Sequence, residues 1–168
     1  MKIAGKIKWC CKQRHGVELI ESNKNLADAF ISKAEKSLEE MQNAKYIESK
    51  ISFAYYTMYN DIYVLLQHIG IKSEIHTCTF ECIKIFLLEH FNEKECEFME
   101  KSLHARNDTT YYVNKEVPDE QADEMMKKAP EMIIKCKSIL QKITEQKINE
   151  VRSELEKIKN PKTNEVKY

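Results

Sequence analysis

The sequence predicts an all-α protein built as a helical bundle, on three observations. Gly and Pro number three each among 168 residues, so few positions break a helix. Charged residues make up 32% of the chain, mostly Lys and Glu, alongside abundant Leu, Ile, Ala and Met. Apolar residues recur at spacings of three and four over long stretches, which lines them along one face of a helix. A chain of this length is normally one domain, able to bury about two-thirds of its unfolded surface.

Residues 1–25 have no clean period. Ile3, Ile7 and Trp9 mix with lysines, Arg14-His15-Gly16 reads as a turn, and Trp9 calls for burial. This segment is expected to be an arm packed on the bundle. A first helix is predicted over 25–43, with Leu26, Phe30, Ala34, Leu38 and Met41 on one face. A second, over 46–69, carries Ile51, Ala54, Tyr55, Met58, Ile62, Leu65, Leu66 and Ile69, a face broad enough for the central helix of a bundle. Tyr56, Tyr59 and Tyr63 form a second row on it, with Asn60 beside them, and such a stripe reads as core or dimer packing before it reads as a binding box. Gly70 stands where a left-handed residue would end that helix.

A third helix is predicted over 77–90, capped by Thr77 or Ser73, with Phe80, Ile83, Phe86, Leu87 and Phe91 inward. Asn92 is a good cap for a fourth, with Glu93 and Glu95 suiting its positive end. That helix is expected to fray near Val113, ahead of the breaker cluster Asn114 to Pro118. Pro118 suits the first turn of a fifth helix, whose core face runs from Ala122 to Ile143, and Pro130 within it predicts a kink or break. The domain is therefore expected over 26–143. The C-terminal extension 144–168 carries Ile148, Val151, Leu155 and Ile158 in a charged background. It is expected either to lengthen the last helix and pair with a partner or to stand as a frayed solvent helix, with disorder after Pro161.

Net charge is zero, so no global field draws the chain to nucleic acid or membrane. Locally, the first 14 residues hold five bases and no acid, whereas 61–100 holds eight acids against three lysines, a pattern usual for solvated surface. The N-terminus lacks the apolar stretch of a signal peptide, and no apolar run reaches bilayer-spanning length. A cytoplasmic protein is expected, with Cys10, Cys11, Cys78, Cys82, Cys96 and Cys136 as reduced, mostly core, thiols. His76, Cys78 and Cys82 do not have the paired spacing of a zinc site, nor do Cys10, Cys11 and His15, so no metal is expected. Three glycines cannot build a phosphate loop, and no cofactor is expected.

What carries chemistry is the stretch from Leu103 to Tyr112, where Arg106, Asn107, Asp108, two threonines and two tyrosines crowd together. Arg106 offers a planar fork of donors for phosphate or carboxylate. It fits equally an ion pair with Asp108 or with an acid of the second or third helix. Arg106 and Tyr111 stand roughly 140° apart around a helix, which predicts that one copy makes a poor catalytic pair and that a dimer would have to bring them together. His104 and Asp108, four apart, share a face and suit a surface pair or a hydrogen-bonded dyad.

The segments Ser52 to Tyr59, Gly70 to His76 and His104 to Val113, with Leu26 to Ala34 before them, resemble the HEPN domain family, and most closely its small prokaryotic group ending in Arg-x4-Tyr. The likeness covers about Leu26 to Leu140. It implies an up-and-down four-helix bundle with an additional short helix, here followed by a long C-terminal helix, usually forming a homodimer. Many members are metal-independent endoribonucleases and toxins paired with a nucleotidyltransferase antitoxin. Their Arg-x4–6-His motif brings Arg and His together at the dimer interface. Arg106 matches the motif arginine and Asn107 the polar residue after it, but Tyr111, or Tyr112 one step on, replaces the histidine. A phenol with an ordinary pKa near ~10 is a poor general base, although it can donate a proton or stack on a base. In some pairs the antitoxin modifies a tyrosine two residues beyond the histidine, and here that position is Val113. The expected function is phosphate binding, from nucleotide or RNA, through a groove containing Arg106, with Asn107, Asp108, Tyr112 and His104 around it. The alternatives are a ribonuclease using Arg106 with Tyr111 or His104, and a non-catalytic scaffold for a nucleotidyltransferase.

Overall fold

The computed structural model describes residues 2–161 and contains seven helices and one short ribbon. In chain order these are α1 (Lys2–Lys12), β1 (Val17–Leu19), α2 (Lys24–Asn43), α3 (Ile47–Ile69), β2 (Ile71–Ser73), α4 (His76–Phe86), α5 (Glu93–Tyr111), α6 (Asp119–Leu140) and α7 (Glu145–Lys159). The all-α class holds. The two strands pair antiparallel, Val17 opposite Ser73 and Leu19 opposite Ile71. At three residues each they are too short to show a period in the sequence.

Helix α3 is the axis. Fifteen of its residues are buried, on nearly every side, and α2, α5 and α6 pack against it. Its partners are amphipathic for the usual reason: one apolar face covers α3 while lysines and glutamates stay in water. The Asn23 side chain caps α2 by accepting from the Leu26 amide at 3.0 Å. Asn92 is the cap expected for α5, and it and Glu95 close the first turn with reciprocal bonds of 3.0 Å, a capping box. Helix α6 runs through Pro130 without a break. Buried Met125 and Ala129 before the proline, and Met132, Ile133 and Cys136 after it, hold both halves on α3.

Five expectations need correcting, the first being the cap of the third helix, which is Ile75 without a side-chain bond and neither Ser73 nor Thr77. The arm is a helix, packed on α4 and α7 through buried Ile7 and Cys10, but Trp9 is 51% exposed and is not its anchor. The third helix stops at Phe86 instead of His90, because Leu87, at φ −127° and ψ 26°, leaves the helical backbone and the chain bends to bury Phe91. Residues 145–159 neither prolong α6 nor stand off in solvent: Thr144 caps a separate helix that folds back, burying Ile148, Val151 and Leu155 in the common core. Cys10 and Cys78 are not free thiols. Helix packing brings their Cα atoms to 5.7 Å, and they form a disulfide between α1 and α4. Cys11, Cys82, Cys96 and Cys136 are free. The basic and acidic stretches of the sequence meet at Lys6, which pairs with Glu81 at 3.2 Å and Glu100 at 3.6 Å. The expectation of disorder after Pro161 falls on 162–168, outside the described residues.

Between α3 and β2 the chain reverses at Gly70, with φ +85° and ψ +41°. This is the left-handed helix end expected there. The reversal is packed tightly: from α7, Arg152 Nη1 donates to the carbonyls of Ile20, Ile69 and Gly70 at 2.7, 3.2 and 3.1 Å. A Cβ on residue 70 would lie 2.1 Å from that nitrogen and 2.6 Å from the Ile20 oxygen. Gly70→Ala is therefore expected to lower the unfolding free energy by about 1–2 kcal/mol from backbone geometry alone, and by more if Arg152 is displaced. Urea denaturation measures it, and a change within about 0.5 kcal/mol, as for a neutral surface substitution, would contradict the assignment.

Candidate functional site

Arg106 lies one turn and a half before the end of α5, beside Ala105, which is 3% exposed. Small buried side chains at Ser102 and Ala105 let α5 approach α3 closely, so the Arg106 side chain runs along α3 instead of out to water. Its Nη2 donates to the hydroxyl of Tyr56, fifty residues earlier on α3, in a short hydrogen bond. Its Nη1 donates to Asn107 Oδ1 at 3.0 Å and to the Tyr111 hydroxyl at 3.4 Å. The guanidinium carbon stands 5.1 Å from the centre of the Tyr56 ring and 5.4 Å from that of Tyr111, within cation–π range of both.

Arg106 and Tyr111 thus meet within one chain. The 140° between their backbone positions is real, but the long arginine side chain spans it. Asn107 joins them as expected. Asp108 does not: it pairs with Lys115 at 2.7 Å, and that lysine also lies over the Tyr112 ring at 4.2 Å. Asp108 and exposed His104 share no hydrogen bond among the described residues, so the dyad is not formed. The hydroxyls of Thr109 and Thr110 turn back to the Arg106 carbonyl, at 3.0 and 2.7 Å.

No carboxylate neutralises Arg106 among the described residues, so the ion-pair reading of this arginine fails. Neither of the two buried acids pairs with it, and Asp61 Oδ2 has no hydrogen-bond partner among the described residues. Glu81 faces Lys6, and Asp61 sits by Lys137 of α6 and Glu35 of α2, where burial pushes its carboxyl up to about 8 and keeps it protonated at neutral pH. The Arg106 Nε is itself buried with no partner among the described residues. A half-buried, permanent cation whose acceptors are neutral phenols and an amide is poised to exchange them for an anion, since bonds to a charged acceptor are about twice as strong.

The imidazole that the sequence lacks in α5 comes from α4. His76 is the first residue of that helix and stacks on Tyr59, with ring centres 4.1 Å apart and planes 11° from parallel. Its Nδ1 bonds the Tyr55 hydroxyl. Burial, then the nearby Arg106 charge, lowers the His76 pKa to about 4, so the ring is neutral at pH 7. Tyr55 is held protonated by burial, with Tyr59 and Tyr56 adding to the effect. A neutral phenol and a neutral imidazole share this bond, and the His76 tautomer sets which of them donates. Burial also raises Tyr59, to about 12. Arg106 is the charge that acts on His76 and Tyr55, Glu74 also acts on Tyr59, and none of these three rings exchanges a proton near neutrality.

Tyr56 and His76 are the residues that reading the sequence did not assign to this site. The row of Tyr56, Tyr59 and Tyr63 was visible at helical spacing. Two members do pack, Tyr59 stacking on Tyr63 with centres 5.9 Å apart, but half-buried Tyr56 turns to Arg106. Nothing in the spacing of His76 points to a residue thirty positions downstream. The chain matches no family model and no curated protein. Among the described residues no helix is long and apolar enough to cross a membrane, and no group of three His, Cys, Asp or Glu side chains is placed to hold a metal ion.

The unfolded chain protonates a histidine near ~6.5 while folded His76 resists until about 4, so the stability His76 contributes is full above the first value and is lost as pH falls towards the second. In a proton NMR titration the His76 ring should show a midpoint near 4, rising when Arg106 is replaced by Gln. A midpoint above 6 in the unmodified protein would contradict the placement of His76 beside Arg106.

Proposed function

We propose that this protein is a HEPN-like helical dimer that binds the phosphate of a nucleotide or RNA through the groove containing Arg106, and that it does so without cleaving RNA. One observation carries the reading: Arg106 is a half-buried guanidinium held by two phenols and an amide, with no carboxylate partner among the described residues. In this reading α2, α3, α5 and α6 are the four up-and-down helices, and α4 is the additional short one. Tyr111, Tyr112 and Val113, 66%, 51% and fully exposed, follow Arg106 directly and supply apolar surface for a second copy or for stacked bases. A nucleotidyltransferase is the protein partner the resemblance suggests. Cytoplasmic placement belongs to the same reading, and there the Cys10–Cys78 pair would exchange with the thiol pool.

The second reading, a metal-independent ribonuclease, is favoured by the imidazole of His76 near Arg106. It is the weaker one, because burial and the arginine charge make that ring a poor base and Tyr55 already occupies its Nδ1. The nucleotidyltransferase scaffold gives Arg106 no role beyond packing.

The experiment is RNA binding and RNA cleavage in EDTA, with the native protein and Arg106→Gln. Binding is expected to weaken with salt, and the variant to lose about tenfold in affinity with its salt slope reduced by about one. No cleavage is expected from either. Cleavage that disappears in the variant would favour the enzyme, and a variant altered only in thermal stability would favour the scaffold.

A further inference from the structure

Helix α1 carries an exposed tryptophan and a set of lysines that nothing inside the molecule uses. Its inner side is anchored: Ile7 and Cys10 are 1% and 0% exposed, Cys10 is bonded to Cys78, and Lys6 pairs with Glu81 and Glu100. The helix therefore cannot turn to bury Trp9, which stays 51% exposed. At about 100° per residue, Gly5, Lys8, Trp9 and Lys12 fall within about 100° of arc, on the side away from Ile7 and Cys10. Lys8, Lys12 and, just past the helix, Arg14 are exposed and have no acid partner among the described residues. The first acid in the chain is Glu18. Lys159, in the last turn of α7, lies near enough to act on Cys11 and adds a further base beside α1.

Gly5 stands one turn before Trp9. A glycine inside a helix weakens it relative to alanine, and here a Cβ would meet nothing within 4 Å, so packing does not require the glycine. Its effect is outward, because it leaves the flank of the indole uncovered. A bare indole among lysines suits a lipid–water interface: the ring settles at headgroup depth and the ammonium groups reach anionic headgroups while their stems lie along apolar surface. A protein interface fits less well, since lysine is depleted at interface centres. Zero net charge removes a pull from the molecule as a whole but not this one. Salt limits attraction to about 8–10 Å, so acids on other faces do not cancel the bases of α1.

We propose that the outer face of α1 is a peripheral docking surface for an anionic lipid bilayer, with Trp9 in the headgroup region and Lys8, Lys12 and Arg14 on anionic headgroups. The surface shares no residue with the Arg106 site and stands separately from the phosphate-binding reading. Contact is shallow and reversible, because the apolar side of α1 stays buried in the bundle and Trp9 alone enters the interface. Each base held near an anionic surface contributes about fivefold in affinity, so binding is salt-sensitive.

Trp9 is the only tryptophan in the chain, so its emission reports this face alone. The test is titration of the full chain with vesicles of phosphatidylcholine alone and of phosphatidylcholine mixed with phosphatidylserine, followed by Trp9 fluorescence and by co-sedimentation. Mixed vesicles are expected to shift the emission to the blue and to carry the protein down, and high salt to reverse both. Neutral vesicles are expected to do neither. Replacing Lys8 and Lys12 together by Gln should weaken co-sedimentation about thirtyfold and Trp9→Ala about tenfold. Lys128→Gln, which removes an exposed lysine of α6, should leave it unchanged. Should a variant fold poorly, iodide quenching of Trp9 in the native protein, relieved by mixed vesicles, reads the same contact. No response to mixed vesicles, an equal response to neutral ones, or full binding by the double lysine variant would overturn the proposal. Emission that shifts with polyglutamate or oligouridylate but not with mixed vesicles would also overturn it, in favour of an acidic protein or a nucleic acid.

Discussion

The candidate site depends on the reversal at Gly70. Helix α3 carries the tyrosine row, and left to itself it would present that row to solvent. A left-handed residue at its end sends the chain back as β2, and β2 leads into α4 with His76 at its first position. Three carbonyls gathered around Arg152 Nη1 lock this return, so α7, the last helix described, holds a turn made 82 residues earlier. The Cys10–Cys78 bond ties the same segment to α1, two residues beyond His76. Each of these contacts joins parts of the chain far apart in sequence, and together they bring an imidazole to Tyr59.

That arrangement separates charge from proton transfer. Arg106 keeps its charge at any physiological pH, whereas burial drives the groups around it towards their neutral forms: His76 downward, Tyr55 and Tyr59 upward. The result is a positive charge whose direct hydrogen-bond partners are neutral phenols and an amide, in half-buried surroundings of reduced dielectric where its pull on an anion is stronger than in water. A ribonuclease site needs groups that both take and release a proton near neutrality, and the pKa directions here run the other way.

Much of the fold was legible because it is local. Caps at Asn92 and Gly70, the apolar faces of α2 and α3, and the end of α5 near Val113 follow from residues within a few turns of each other. The misses are non-local. Nothing at Cys10 indicates Cys78, nothing in the thin pattern from Ile148 to Leu155 says that α7 folds back on α1, and three-residue strands carry no period. The site divides in the same way. Arg106, Asn107 and Tyr111 stood out as a local cluster, although backbone angle alone underestimated how far an arginine side chain reaches. Tyr56 and His76 come from other helices. Asp108 pairs with Lys115, which lies across the helix end and carries no signal at helical spacing.

The most direct test of an open cation at Arg106 is to observe its side-chain Nε–H by nitrogen-15 NMR while inorganic phosphate is added. Among the described residues the Nε is buried without a partner and the Nη atoms hold only neutral acceptors, so its resonance should shift progressively and saturate, with Tyr56 and Tyr111 ring signals moving in step. An Arg106 signal that stays fixed while exposed lysines respond to phosphate would contradict the account.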